Sequence, residues 1–184
     1  MHERKRKLFV GIELDDESRR ACAAASERLR KTGFAAKYEP PEKLHVTLAF
    51  LGYVEPARVE DIVTSLATAA NCSPFGVTLD KLGAFPHERR PRVVFVGARE
   101  QGAPFRALAG SVREVYAGLG FEFRDDAVAH VTIARVKGGR GSLPSIEFAP
   151  VPLRIERVTL FESLPDREHR TTRYEALETA ALRA

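Results

Sequence analysis

The heptapeptide Leu44-His45-Val46-Thr47-Leu48-Ala49-Phe50 is written twice in this chain. Ala129-His130-Val131-Thr132-Ile133-Ala134-Arg135 repeats its pattern eighty-five positions later. In each copy a His and a Thr are separated by one apolar residue and flanked by more. Strict alternation of this kind predicts a half-buried β-strand. Successive side chains on a strand point to opposite faces. His45 and Thr47 therefore share one face, and Val46, Leu48 and Phe50 take the other. His130 and Thr132 lie the same way, backed by Val131 and Ile133. A single His-x-Thr is an ordinary strand face. Two copies in near-identical apolar surroundings imply that the fold brings the two polar rows together.

The 184 residues suffice for one large domain or two small lobes. Hydrophobic residues at 44% and charged residues at 29% are usual for a soluble globular protein. No apolar run approaches the length of a membrane span. The basic start, Met1 to Lys7, leads into an apolar run that ends at Asp15. That run is too short for a secretory signal, so a cytoplasmic location is expected. Cys22 and Cys72 are the only cysteines. They lack metal-type spacing, and buried free thiols are expected. The net charge of +4 suits a polyanionic partner.

Lys7 to Leu14 reads as a strand, and Asp15-Asp16-Glu17-Ser18 as the capped start of a helix that runs to Lys31 and is stopped by Gly33. Tyr38 to Pro41 is an extended approach. It delivers the first His strand, Leu44 to Leu51, which Gly52 is expected to end. A helix follows from Pro56 to about Asn71. Phe75 to Leu82 and Arg92 to Gly97 read as strands, with a Pro-rich charged loop over Gly83 to Pro91. Apolar residues from Phe105 to Leu119 recur at helical spacing. The second His strand reaches about Lys137, and Gly138 to Ser142 is a loop. Leu153 to Leu164 and Thr172 to Glu178 are the last two strands. Helices do not alternate strictly with strands, so a doubly wound parallel sheet is disfavoured. The expected fold class is α+β, over a single bilobal domain of residues 1–184. Its two pseudo-symmetric lobes have mostly antiparallel sheets around a central cleft, with helices outside.

Histidine titrates near working pH. Of two imidazoles at one cleft, a neutral one takes a proton from a nucleophile while a protonated one gives a proton to a leaving group. In-line displacement at a phosphodiester needs both, because the attacking and leaving oxygens lie on opposite sides of phosphorus. Thr47 and Thr132 are placed to donate to the non-bridging oxygens. No Cys, Asp or Glu lies on either strand to complete a metal site, and no metal or cofactor is expected. Neither a G-x-S-x-G turn nor a Walker or Rossmann glycine motif is present. Arg135 falls formally on the face opposite His130, unless the strand bulges near its end. Arg89, Arg90 and Arg92 form either a solvated loop or a contact to a nucleic-acid backbone. His87 reads as a loop residue, and His2 and His169 as surface residues.

Both motifs resemble the His-x-Thr-x pattern of the two-histidine phosphoesterases, and within them the RNA 2′,3′-cyclic phosphodiesterases, also called 2′-5′ RNA ligases. The resemblance extends over Leu8-Phe9-Val10, Pro41 to Leu48, Phe50-Leu51-Gly52, Gly83 to Pro86 followed by Pro91-Arg92-Val93, and His130 to Arg135. It continues through Val158 to Ser163 and Tyr174 to Leu177. It implies a bilobal fold and metal-independent hydrolysis of a terminal ribose 2′,3′-cyclic phosphate to a 2′-phosphate. It further implies His45 as general acid, His130 as general base, and Thr47, Thr132 and Arg135 as phosphate-binding residues. The implied partners are RNA ends or small nucleotides bearing a cyclic phosphate, handled by a monomer with no membrane and no obligate protein partner. Reverse reaction with a 5′-hydroxyl end would ligate RNA through a 2′-5′ linkage. The alternative is a non-catalytic nucleotide- or RNA-binding module using the same cleft. Tyr38 stands where many members carry Trp, which bears on base stacking. Ala129 stands where Pro often precedes the second His, which bears on the firmness of the strand start.

Overall fold

The computed structural model describes residues 4–138, 141–168 and 171–183. His2, Gly139, Arg140 and His169 lie outside them. The apolar run after the basic start forms β1 (Arg6–Glu13), in which five successive residues are buried. Asp15 then caps α1 (Asp16–Lys31), its carboxylate accepting the Ser18 N–H at 2.7 Å. Gly33 ends the turn in the left-handed region, at φ 79°. A two-residue strand, β2 (Lys37–Tyr38), and a 3-10 turn at Pro41–Lys43 lead into β3 (His45–Val54). The helix expected to reach Asn71 is broken into α2 (Val59–Thr64) and α3 (Leu66–Ala69). At the break the Thr64 and Ser65 hydroxyls both donate to the Asp61 carbonyl, at 3.1 and 2.7 Å, and the next carbonyl, that of Ile62, accepts the Tyr116 hydroxyl at 3.0 Å.

The stretch Phe75 to Leu82 divides at Asp80 into β4 (Phe75–Leu79) and β5 (Lys81–Phe85). Asp80 is pinned there, donating its N–H to the Gly97 carbonyl and accepting the Arg99 N–H on its carboxylate. Thus Gly83 to Phe85 belong to a strand rather than a loop. β6 (Val93–Gly97), α4 (Gly102–Gly118) and β7 (His130–Arg135) follow. The final alternating stretch also divides, at Glu156, into β8 (Val151–Ile155) and β9 (Arg157–Asp166), before β10 (Thr171–Ala181).

Eight strands form one sheet in the order β10-β9-β1-β3-β7-β6-β5, with β2 alongside β7; β4 and β8 make a separate pair. Every pairing is antiparallel. The first lobe is β10-β9-β1-β3, the second β7-β6-β5. Their sheets are continuous through a single β3–β7 rung. Helix α1, from the first half of the chain, packs on β7 and β8. In return α4, from the second half, packs on β3. Each His strand is therefore covered by the other half's helix. Val46, Leu48, Val131 and Ile133 are fully buried beneath these helices.

The two His strands also share an irregularity. Gly11 pairs with Thr47 but Val10 with Ala49, leaving Leu48 as an extra residue. Phe95 pairs with Thr132 but Val94 with Ala134, leaving Ile133 extra. A bulge at the residue after each Thr reverses the side-chain parity beyond it. The extra residues' carbonyls are satisfied from elsewhere: Arg113 Nε donates to Leu48 O at 3.1 Å, and the Glu39 N–H to Ile133 O at 2.9 Å. The parity reversal corrects the expectation for Phe50, which is not on the buried face but 65% exposed. Gly52 does not end β3. It takes φ 72° at a second register shift, and the strand continues to Val54. Cys22 is buried, its thiol pushed up to about 12 by desolvation, but Cys72 is only half-buried; both are free. Among the described residues no helix is long and apolar enough to cross a membrane.

Candidate active site

The rung that joins the lobes pairs Val46 with Val131. These are equivalent positions of the two motifs, so the internal two-fold passes between them. In that antiparallel register His45 lies across from Thr132 and Thr47 across from His130. All four are half-buried, on the face opposite the two valines. The seam thus gathers two imidazoles and two hydroxyls onto one small area, and the two His are close enough that His130 opposes protonation of His45.

Each imidazole is held by its own strand. His45 Nδ1 lies 2.7 Å from the Lys43 carbonyl and His130 Nδ1 lies 2.9 Å from the Val128 carbonyl. A carbonyl only accepts, so Nδ1 carries hydrogen in both rings and proton exchange is left to Nε2. His45 Nε2 is 3.0 Å from Thr47 Oγ1. His130 Nε2 has no protein partner among the described residues. Burial lowers both pKa values, the largest effect in each case. For His45 this is opposed by the Lys43 carbonyl and by the negative charge of Glu39, and reinforced by the charges of His130 and Lys43. For His130 it is opposed by the Val128 carbonyl and reinforced by Arg135.

The bulge at Ile133 turns Arg135 to the His face, where its charge reaches His130. The formal strand parity, which put it on the opposite face, is overridden. The mark of the bulge is present in the sequence: Leu48-Ala49 and Ile133-Ala134 are adjacent apolar pairs that break the two-residue period. Arg135 Nε donates to Glu39 Oε1 at 3.0 Å, and Lys43 Nζ lies 3.2 Å from Glu39 Oε2. Lys43 also donates to Thr172 Oγ1 at 3.1 Å and stands over the Tyr174 ring. Glu39 and Lys43 are almost wholly buried and were not singled out in the sequence. No motif marks them, because their role depends on β2 lying beside β7.

Aromatic rings wall both imidazoles. Phe9 and Tyr174 lie 4.9 and 5.2 Å from His45, and Phe85 and Phe95 lie 5.2 and 5.4 Å from His130. Tyr38 is not among them. Its ring lies under Arg30 at 4.7 Å and its hydroxyl donates to the Phe34 carbonyl, so it braces α1 instead of facing the cleft. Nor does Ala129 loosen the strand start: its N–H, which a Pro would lack, donates to Gln101 Oε1 at 3.0 Å, and its carbonyl accepts from Ala98. Arg89, Arg90 and Arg92 lie in the β5–β6 connection, beyond the four seam residues.

The sequence model of the LigT-like phosphoesterase family matches this chain twice, over residues 12–95 and 96–169, once for each half. The RNA 2′,3′-cyclic phosphodiesterase of Archaeoglobus fulgidus is 37% identical over 134 residues, 71% of this chain and 73% of that protein. The enzyme of the same name from Thermotoga maritima is 28% identical over 162 residues, covering 85% and 86%. Among solved structures, E. coli LigT in its apo form superimposes with a TM-score of 0.77 at 27% identity, covering 99% of this chain and all of that one. Its complex with 3′-AMP gives 0.75 over the same coverage. With both halves matched and a 37% identical relative aligned over most of its length, the chain belongs to the LigT-like phosphoesterase family.

Proposed function

We propose that this protein hydrolyses the 2′,3′-cyclic phosphate at an RNA end to a 2′-phosphate. The observation that carries the reading is the seam rectangle: two His, each fixed through Nδ1 and free to exchange a proton at Nε2, each opposite a Thr. His130 Nε2 takes the proton of a water as its oxygen bonds to phosphorus. The bond from phosphorus to the 3′ oxygen breaks, and that oxygen takes the proton of His45 Nε2. Thr47, Thr132 and Arg135 hold the non-bridging oxygens as charge gathers on them. This order of roles is the one the family resemblance implies. Of the neighbouring charges, Glu39 favours the protonated form of His45, against Lys43 and His130, and Arg135 favours the neutral form of His130. Hydroxyls and a guanidinium meet the phosphoryl charge, so the scheme uses neither metal nor cofactor.

The names of the relatives support RNA ends as substrate, and small cyclic nucleotides present the same reacting group. The reverse reaction, with a 5′-hydroxyl in place of water, would join RNA ends through a 2′-5′ linkage by the same residues. We take residues 1–184 as one bilobal unit acting as a cytoplasmic monomer without an obligate protein partner, since one chain carries both motifs. The test is incubation in EDTA with a short RNA ending in a 2′,3′-cyclic phosphate, with the product resolved as 2′- or 3′-phosphate. A 2′-phosphate is expected. Tight nucleotide binding without conversion at any neutral pH would instead mark a binding module.

A further inference from the structure

A cavity of about 840 Å³ opens beside the seam, lined by Phe85, His87, Arg90, Arg92, Val93 and Val136 among others. Phe85 is its common wall with the active site. The ring meets His130 edge-on at 5.2 Å, is covered on one face by Phe95 at 4.5 Å, and remains 37% exposed. Among the described residues none that lines it is acidic. Glu88 lines a separate hollow with Lys81 and Arg89. Among the described residues neither the Arg90 nor the Arg92 guanidinium has a carboxylate partner. His87 Nδ1 accepts the Arg90 N–H at 3.2 Å, so a neutral His87 carries its proton on Nε2 as a further donor. The ladder fixes the direction of approach: Val93 pairs with Arg135 and Phe95 with Thr132. Arg92, one residue before β6, therefore stands roughly 10 Å along the strand from the level of Thr132, with Arg90 in the turn beyond it.

Unpaired cations around a half-exposed aromatic ring are what a single nucleic-acid strand needs: charge for the backbone and a face for a base. We propose that this cavity is a second subsite, which receives the RNA upstream of the cyclic phosphate. Arg90 and Arg92 meet the phosphodiester on the 5′ side of the terminal ribose, and Phe85 meets a base. The inference rests on the hydrolase reading above. It names oligonucleotides as the preferred substrate class, because a cyclic mononucleotide has no 5′-side phosphodiester to offer.

The experiment compares the natural chain with the double variant Arg90→Ala, Arg92→Ala on 2′,3′-cyclic AMP and on an RNA trinucleotide ending in a cyclic phosphate. For the trinucleotide, KM should rise about 5- to 20-fold with kcat retained. The slope of log kcat/KM against log salt should become shallower by about 0.7, one single-strand phosphate contact. Constants for cyclic AMP should stay at the natural values, and Arg90→Lys, Arg92→Lys should recover much of the trinucleotide KM. Equal losses on both substrates, or none on the trinucleotide, would overturn the subsite. If the natural chain turns over neither substrate, it is the hydrolase reading that fails. The subsite then stands only if the double variant weakens the trinucleotide Kd.

Discussion

Arg135 and Glu39, ninety-six residues apart, are joined at 3.0 Å from Nε to Oε1. That contact depends on the bulge at Ile133, whose carbonyl accepts the N–H of Glu39 itself. The same carboxylate, with Lys43 at its other oxygen, favours the proton on His45. Glu39→Gln should therefore act on both imidazoles' surroundings. We expect kcat/KM to fall by up to about 10²-fold, the scale of a misplaced positioning group. The alkaline limb of its pH profile should also move to lower pH, since His45 loses a charge that supports its protonated form. A uniform loss at every pH would assign Glu39 to folding alone.

On the proposed mechanism, removing either imidazole removes one of the two proton transfers. His45→Ala and His130→Ala should each lower kcat about 10²–10⁴-fold, with the double variant far from additive. Both rings are half-buried, so circular dichroism should report an intact fold. Near-normal turnover in either single variant would dismiss the acid–base pairing.

The pH profile follows from burial. Desolvation lowers both pKa values, and the proposed reaction needs one ring protonated and one neutral. The bell of kcat/KM, which reports the free enzyme, should peak on the acid side of the ordinary imidazole value and decline as pH rises and the acid loses its proton. Arg135→Ala removes a charge that lowers the His130 pKa, so the acid limb should shift to higher pH. EDTA should leave the profile unchanged. A plateau extending well into alkaline pH would contradict this assignment.

Two glycines, on the strands paired with the His strands, set how closely those strands approach. A Cβ on Gly11 would stand 2.8 Å from the Val46 carbonyl and 3.4 Å from the His45 ring; on Gly97 it would stand 2.8 Å from the Ala129 carbonyl. Neither obstacle is a flexible side-chain end. Gly11→Ala and Gly97→Ala should each cost about 1–3 kcal/mol, a fall of roughly 3–10 °C in Tm. Scanning calorimetry checks this, and an unchanged Tm would show that the strands separate freely.

His45, Thr47, His130 and Thr132 were legible in the sequence because a period of two is a property of residue order alone. Phe50 and Arg135 were not placed correctly by that period, because one inserted residue reverses all that follows it. Asp80 and Glu156 each end one strand and begin another inside a single alternating run. Their effect comes from which partner strand lies on either side, and local pattern carries no record of that. Glu39 and Lys43 lie further still from view: their value to the site comes from a charge relationship across β2 and β7. The doubled motif thus marks the four residues gathered at the seam, while the charged groups around them are set by tertiary contact.

The reciprocal cover of the two sheets has a consequence for the chain as a whole. α1 shields β7 and α4 shields β3, so neither half carries the lid for its own apolar strand. A half-length chain would leave Val46 and Leu48, or Val131 and Ile133, open to water, and would gain most by embracing a twin. The covalent link between the halves turns that association between molecules into one within a molecule, and fixes one His-x-Thr against the other at unit stoichiometry.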